Sequence, residues 1–94
     1  MYTIDFKPSV KKDFNHINKA DIAYIRDSLR EFIALFSHEY EIALMKTGKI
    51  KKLQAQQEGL YRLKLRSYRI IYKKYEDKLV ILVVHITSRE GAYR

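Results

Sequence analysis

The chain has 94 residues, 47% of them hydrophobic, a formal net charge of +8 and no cysteine. That length predicts one domain over residues 1–94, and the absence of thiols excludes a disulfide framework, a zinc–thiolate centre and a cysteine nucleophile. One proline and three glycines argue against a low-complexity chain. The N-terminal run MYTIDFKPSV has no apolar core of signal-peptide length and no stretch approaches a membrane span, so a cytoplasmic protein away from the membrane is expected.

Residues 1–6 (MYTIDF) alternate as a strand does, with Tyr2, Ile4 and Phe6 on one face. After Pro8 and Ser9, Val10, Phe14 and Ile17 recur at helical spacing and predict a short first helix. Asn18 is the expected N-cap of a second helix, with Asp21 in its first turn where the helix dipole favours an acid. Its apolar stripe runs through Ile22, Ile25, Leu29, Phe32, Ile33 and Phe36 to about Ser37. Residues 38–49 are open between helix and loop, and Gly48 is a natural stop.

Beyond Gly48 the period changes from 3.6 to 2. Residues 49–54 read as a strand start and residues 54–59 as a polar turn. Residues 61–66 (YRLKLR) alternate strictly, residues 68–75 form the next strand, Glu76-Asp77 a turn, and residues 78–87 a third strand. That last strand is apolar on both faces as far as Val84, as a central strand should be. The predicted fold is α+β in the order β-α-α-β-β-β, with a helix pair on one face of a mostly antiparallel four-stranded sheet.

The charge is segregated. Between Lys46 and Lys74 there are ten basic residues and one acid, Glu58, while the rest of the chain is nearly balanced. Such segregation is the electrostatic footprint of phosphate binding, with a solvated sheet face or a docking surface for an acidic protein as the alternatives. Strand alternation sends Tyr61, Leu63 and Leu65 toward the helices and Arg62, Lys64 and Arg66 to the open face, about 7 Å apart. Arg69 is expected on the same open face beside Tyr68, Tyr72 and Tyr75, with Lys51 and Lys52 adding further phosphate contacts. The three tyrosines Tyr61, Tyr68 and Tyr72 have a competing use in the core.

On the last strand His85 and Arg89 share parity, and Tyr93 follows. His85 reads either as a histidine packed beside an apolar run or as an acid–base group. His16 and His38 read as surface. Arg, Lys, His and Tyr without an accompanying carboxylate suit binding or cleavage of a phosphodiester without metal, so neither a metal site nor a cofactor is expected.

The run GLYRLKLRSYRIIYKKYEDKLVILVVHITSREGAY resembles the C-terminal half of the RelE/ParE toxin superfamily, specifically the RelE-like mRNA interferases. The shared features are Tyr61-Arg62-Leu63-Lys64, Tyr68-Arg69-Ile70-Ile71-Tyr72, the apolar residues 79–84, and Arg89 with Tyr93. The resemblance implies the toxin of a type II toxin–antitoxin pair, an endoribonuclease that cleaves mRNA in the ribosomal A site by attack of a 2′-hydroxyl on the adjacent phosphate. It implies Lys64 as general base, with His85 as the alternative. Arg62 and Arg69 would then neutralise the phosphate, Arg89 would stabilise the leaving oxygen, and Tyr93 would stack on a base. Its implied partners are an acidic antitoxin, the ribosome and mRNA, with a monomer when free. A ParE-like inhibitor of DNA gyrase and a non-catalytic member of the superfamily are the competing functions.

Overall fold

The first strand, β1 (Thr3–Phe6), stops at Lys7-Pro8 because proline lacks the N–H that would continue the ladder. Its last rung is the Lys7 N–H on the Val83 carbonyl at 2.8 Å. The computed structural model describes residues 1–53 and 59–88. Three helices follow β1: α1 (Val10–Phe14), α2 (Lys19–Leu35) and α3 (His38–Lys46). Asn18 caps α2, its side chain accepting the Asp21 N–H at 2.8 Å, and Ser37 caps α3 by accepting the Tyr40 N–H at 3.0 Å. Gly48 ends this half at φ 84, a conformation that a side chain would strain.

Four strands come next: β2 (Ile50–Lys52), β3 (Leu60–Leu65), β4 (Tyr68–Tyr75) and β5 (Val80–Ser88). The sheet has five strands in the order β1-β5-β4-β3-β2. β1 joins β5 in parallel and every other pairing is antiparallel. The architecture is the expected α+β arrangement, with two refinements. Residues 38–49 include a third helix, and residues 50–52 form a fifth strand too short to show a period of its own. The polar turn expected at 54–59 falls mostly outside the described residues.

All the helices supply the same core. Val10, Ile25, Leu29 and Phe32 meet Ile50, Leu63, Leu65, Ile70, Tyr72, Ile81, Val83 and Ile86 in one buried cluster. Phe32 is the junction, with its ring 5.7 Å from Tyr72, 6.1 Å from Tyr40 and 5.2 Å from Phe36. No helix among the described residues is long and apolar enough to cross a membrane.

Pairing of β4 with β5 passes from Ile71↔His85 to Tyr72↔Val83, so Val84 is an extra residue. This bulge inverts the alternation: Ile81, Val83 and Ile86 are all buried, and His85 is turned to the other face.

A polar cluster sits inside the helix–sheet seam. Glu41 of α3 is 2% exposed, and it accepts from Tyr72 Oη at 2.6 Å and from Lys74 Nζ at 2.7 Å. Tyr61 stacks on Tyr72, and the Lys74 ammonium lies 4.7 Å from the Tyr61 ring centroid. Burial, reinforced by the Glu41 hydrogen bond, holds the Tyr72 phenol far above its ordinary 10.0. Burial opposes the Lys74 charge, but the hydrogen bond and charge of Glu41 outweigh it and raise Lys74 above 10.5.

Both groups keep their protons in the folded state at a pH where the unfolded chain loses them. Their contribution is therefore complete below the ordinary values and declines as pH rises past about 10. Melting temperatures are expected to be flat up to about pH 9 and to fall above it, less steeply in Tyr72→Phe. An unchanged slope in that variant would exclude Tyr72 as a source. Removing one partner of a buried ion pair strands the other, so Lys74→Met should cost about 3–5 kcal/mol in urea unfolding.

Candidate nucleic-acid interface

Register assigns each strand residue to a face. Lys51, Arg62, Ile71 and His85 form one row across the sheet, and Lys64, Arg69 and Thr87 form the next, all on the face away from the buried cluster. Lys73 and Tyr75 lie on the same face farther along β4, the Lys73 ammonium 5.4 Å from the Tyr75 ring centroid. This outer face carries the cations that alternation predicted for it, Arg62 and Lys64, together with Lys51.

Several expected members are placed differently. Lys52 pairs with Tyr61, so it is exposed on the side that the helices occupy rather than beside Arg62. Arg66 is the first of two residues joining β3 to β4, with φ 54. That tight turn breaks the alternation, and its guanidinium lies 3.7 Å above the Tyr24 ring of α2. Tyr68 and Tyr72 are likewise turned to the helices and provide no outer aromatic surface. The Tyr68 hydroxyl donates to Asp21 at 2.7 Å, and that hydrogen bond, with partial burial, raises its pKa. Arg89 and Tyr93 lie outside the described residues.

Arg69 is on the expected face but not exposed: only 4% of it is accessible. Its Nη1 donates to the carbonyls of Arg66 at 3.2 Å and Tyr68 at 3.1 Å, so the guanidinium is folded over the hairpin turn. Arg62 is anchored similarly, with Nη2 donating to the Gly48 carbonyl at 2.7 Å. The Nε atoms of both arginines are buried without a hydrogen-bond partner. A buried donor left unpaired costs about 1–3 kcal/mol.

Lys64 lies between them in the sheet, opposite Arg69 and exposed. With Thr47, Gly48, Lys49 and Arg66 it lines an open cleft of about 400 Å³. Two arginines fixed by backbone carbonyls beside a free lysine make a preorganised cationic patch. Arginine presents planar, directional donors to an anion, whereas lysine supplies a mobile point charge.

His85 is 53% exposed, and its Nδ1 lies 3.0 Å from Oδ2 of Asp13. The expectation of a face without a carboxylate therefore fails at this position. Asp13 left no local signal, since its partner is more than seventy residues away and is brought close only by the packing of α1 against β5. Among the described residues no three His, Asp or Glu side chains converge as metal ligands would.

The whole chain follows a known pattern. Residues 4–93 match the family model of the ParE toxin of the type II toxin–antitoxin system parDE. None of the curated proteins matches it significantly. Among solved structures it is similar to the archaeal RelE–RelB complex from Pyrococcus horikoshii OT3, at 24% identity over 97% of this chain and 98% of that one, with a TM-score of 0.68. The intact E. coli RelBE toxin–antitoxin complex gives 22% identity over 94% and 96%, with a TM-score of 0.66. The E. coli DinJ–YafQ complex gives 14% over the full length of both chains, with a TM-score of 0.60. At these identities the structures share the fold, and the match over residues 4–93 supplies the family. The chain belongs to the ParE toxin family of type II toxin–antitoxin systems, within the RelE/ParE toxin superfamily.

Proposed function

We propose that this toxin is a ribosome-dependent endoribonuclease that cleaves mRNA in the A site. The observation that carries this reading is the outer-face patch of Arg62, Lys64 and Arg69, whose two guanidiniums are held in place by backbone carbonyls. A phosphodiester is the matching anion for such a patch, and a pentacovalent phosphorane, carrying more charge, is a better one. Donors that are already oriented stabilise that charge without reorganising during the reaction.

The chemistry needs a base at the 2′-oxygen, donors on the non-bridging oxygens and an acid at the 5′-oxygen. Arg62 and Arg69 take the middle role. Lys64 and His85 are the two described groups able to move a proton, and Arg89 and Tyr93 retain the leaving-group and base-stacking roles that the resemblance implies. The cytoplasm, where ribosomes translate, is the proposed compartment. An acidic antitoxin, as a counterpart to the antitoxins in the RelE–RelB and RelBE complexes, is the proposed inhibitor of the cationic face, binding in a salt-sensitive way.

Inhibition of DNA gyrase is the second reading, favoured by the ParE description of the matching family. Primer extension on mRNA in a reconstituted translation system separates the two. Cuts at defined codon positions, formed only with ribosomes, support the nuclease. Intact mRNA together with loss of gyrase supercoiling supports the inhibitor.

Arg62→Ala and Lys64→Ala are each expected to slow cleavage by about 10²–10³, the cost of losing one preorganised donor. Arg69→Ala should also lower stability by about 1–3 kcal/mol in denaturant unfolding, because it removes buried hydrogen bonds to the hairpin turn. This reverses the expectation for an exposed arginine. A fully stable Arg69→Ala would show that the turn does not rely on it.

A further inference from the structure

We infer that His85 is the general base of the cleavage reaction and that Asp13, on α1, is the residue that positions it. The inference rests on the endoribonuclease reading and assigns the proton transfer that the resemblance left open between Lys64 and His85.

The pairing is built by two independent features of the backbone. The bulge at Val84 takes His85 out of the core-facing series and sets it on the cationic face. Separately, β1 ends at Phe6, so the edge of β5 beyond Val83 has no neighbouring strand. α1 fills that gap. Asp13 Oδ2 accepts the Ile86 N–H at 2.9 Å, taking the place of a strand carbonyl, and the same oxygen lies 3.0 Å from His85 Nδ1. The Asp13 side chain is 15% exposed, so water competes weakly for it.

A carboxylate fixed by a backbone N–H and aimed at Nδ1 selects the neutral tautomer that carries its hydrogen there. The lone pair is then on Nε2, the ring nitrogen that Asp13 does not hold, in a side chain that is half exposed. The same logic lets an aspartate orient a catalytic histidine in hydrolases of unrelated fold.

The neighbours suit the role. His85 is the diagonal neighbour of Arg69 across β4–β5, about 7–8 Å away between Cα atoms. Lys64 is on the other side of Arg69, on β3. A phosphate on the outer face above Arg69 therefore has one proton-transferring group on each side, as in-line displacement needs. Nε2 of His85 takes the 2′-hydroxyl proton as the 2′-oxygen bonds to phosphorus. The P–O5′ bond breaks, and the 5′-oxygen takes a proton from Lys64 Nζ. The products are a 2′,3′-cyclic phosphate and a 5′-hydroxyl, so no redox partner or further reactant is needed.

The test compares wild type, His85→Ala, Asp13→Asn and the double variant by single-turnover cleavage on programmed ribosomes, with imidazole ¹⁵N shifts read by NMR. Asp13→Asn still offers an oxygen to the Ile86 N–H. It should lower kcat by about 10²–10⁴ with KM unchanged, and it should move the His85 resonances away from the Nδ1–H tautomer. The double variant should be no slower than His85→Ala alone, because the two residues act as one unit. If Asp13→Asn proves unfolded by circular dichroism, His85→Gln, which keeps a donor for Asp13, carries the kinetic comparison and should be as slow as His85→Ala. Cleavage that survives His85→Ala while Arg62→Ala is inactive overturns the dyad and leaves the nuclease standing. So does a wild-type ring without the Nδ1–H tautomer, or a double variant slowed by the product of the single effects. A wild-type protein that does not cut mRNA overturns the nuclease reading itself, and the base assignment with it.

Discussion

Tyr72 is the side chain through which the two halves of this molecule are held in register. Its ring stacks on Tyr61 of β3 and meets Phe32 of α2 edge-on, and its hydroxyl is bound to the only acid buried in the described core, Glu41. A phenol in that place must find an acceptor or forfeit a hydrogen bond, and the acceptor has to come from α3. The docking angle of α3 is thereby linked to the position of β4, and β4 carries Arg69 on its opposite face. Packing on one side of the sheet so determines the geometry of charge on the other.

The cationic face is organised in an economical way. Clustered cations are commonly neutralised by carboxylates, but those would compete with any incoming phosphate. Here Arg62 and Arg69 are restrained by main-chain carbonyls of Gly48, Arg66 and Tyr68 instead. Neutral acceptors fix the guanidinium planes while leaving their full charge available. The carboxylate beside His85, that of Asp13, is engaged with a backbone N–H and with the imidazole, at the margin of the arginine pair.

Much of this could be read from the sequence, and the failures have specific causes. Local rules sufficed for the Asn18 cap, the stripe of α2, the stop at Gly48 and the alternation of β3, because each depends on neighbours within a few residues. α3 stays open in the sequence because its polarity is inverted: Glu41 is buried while Ile42 and Met45 are exposed, so the usual periodicity argument has nothing to count. Arg66 was assigned to the wrong face because a tight turn with positive φ interrupts the period of two. For Arg69 the parity was right and the burial wrong, since burial is decided by neighbouring elements and not by strand position. The Val84 bulge has no composition signal, and without it His85 would point into the core. Asp13 could only be found in three dimensions.

The parallel pairing of β1 with β5 has a consequence for how the molecule comes into being. Thr3 lies beside Val80 and Phe6 beside Val83, so β1 has no partner until β5 exists. Closing so long a loop carries an entropic cost that grows only slowly with length, but it must be met before any of those contacts form. During vectorial synthesis the helices and the β3–β4 hairpin can form early, whereas the union of Asp13 with His85 and Ile86 must await β5. The outer face, with the pairing of Asp13 and His85 at its margin, therefore takes its full shape only once β5 has joined β1.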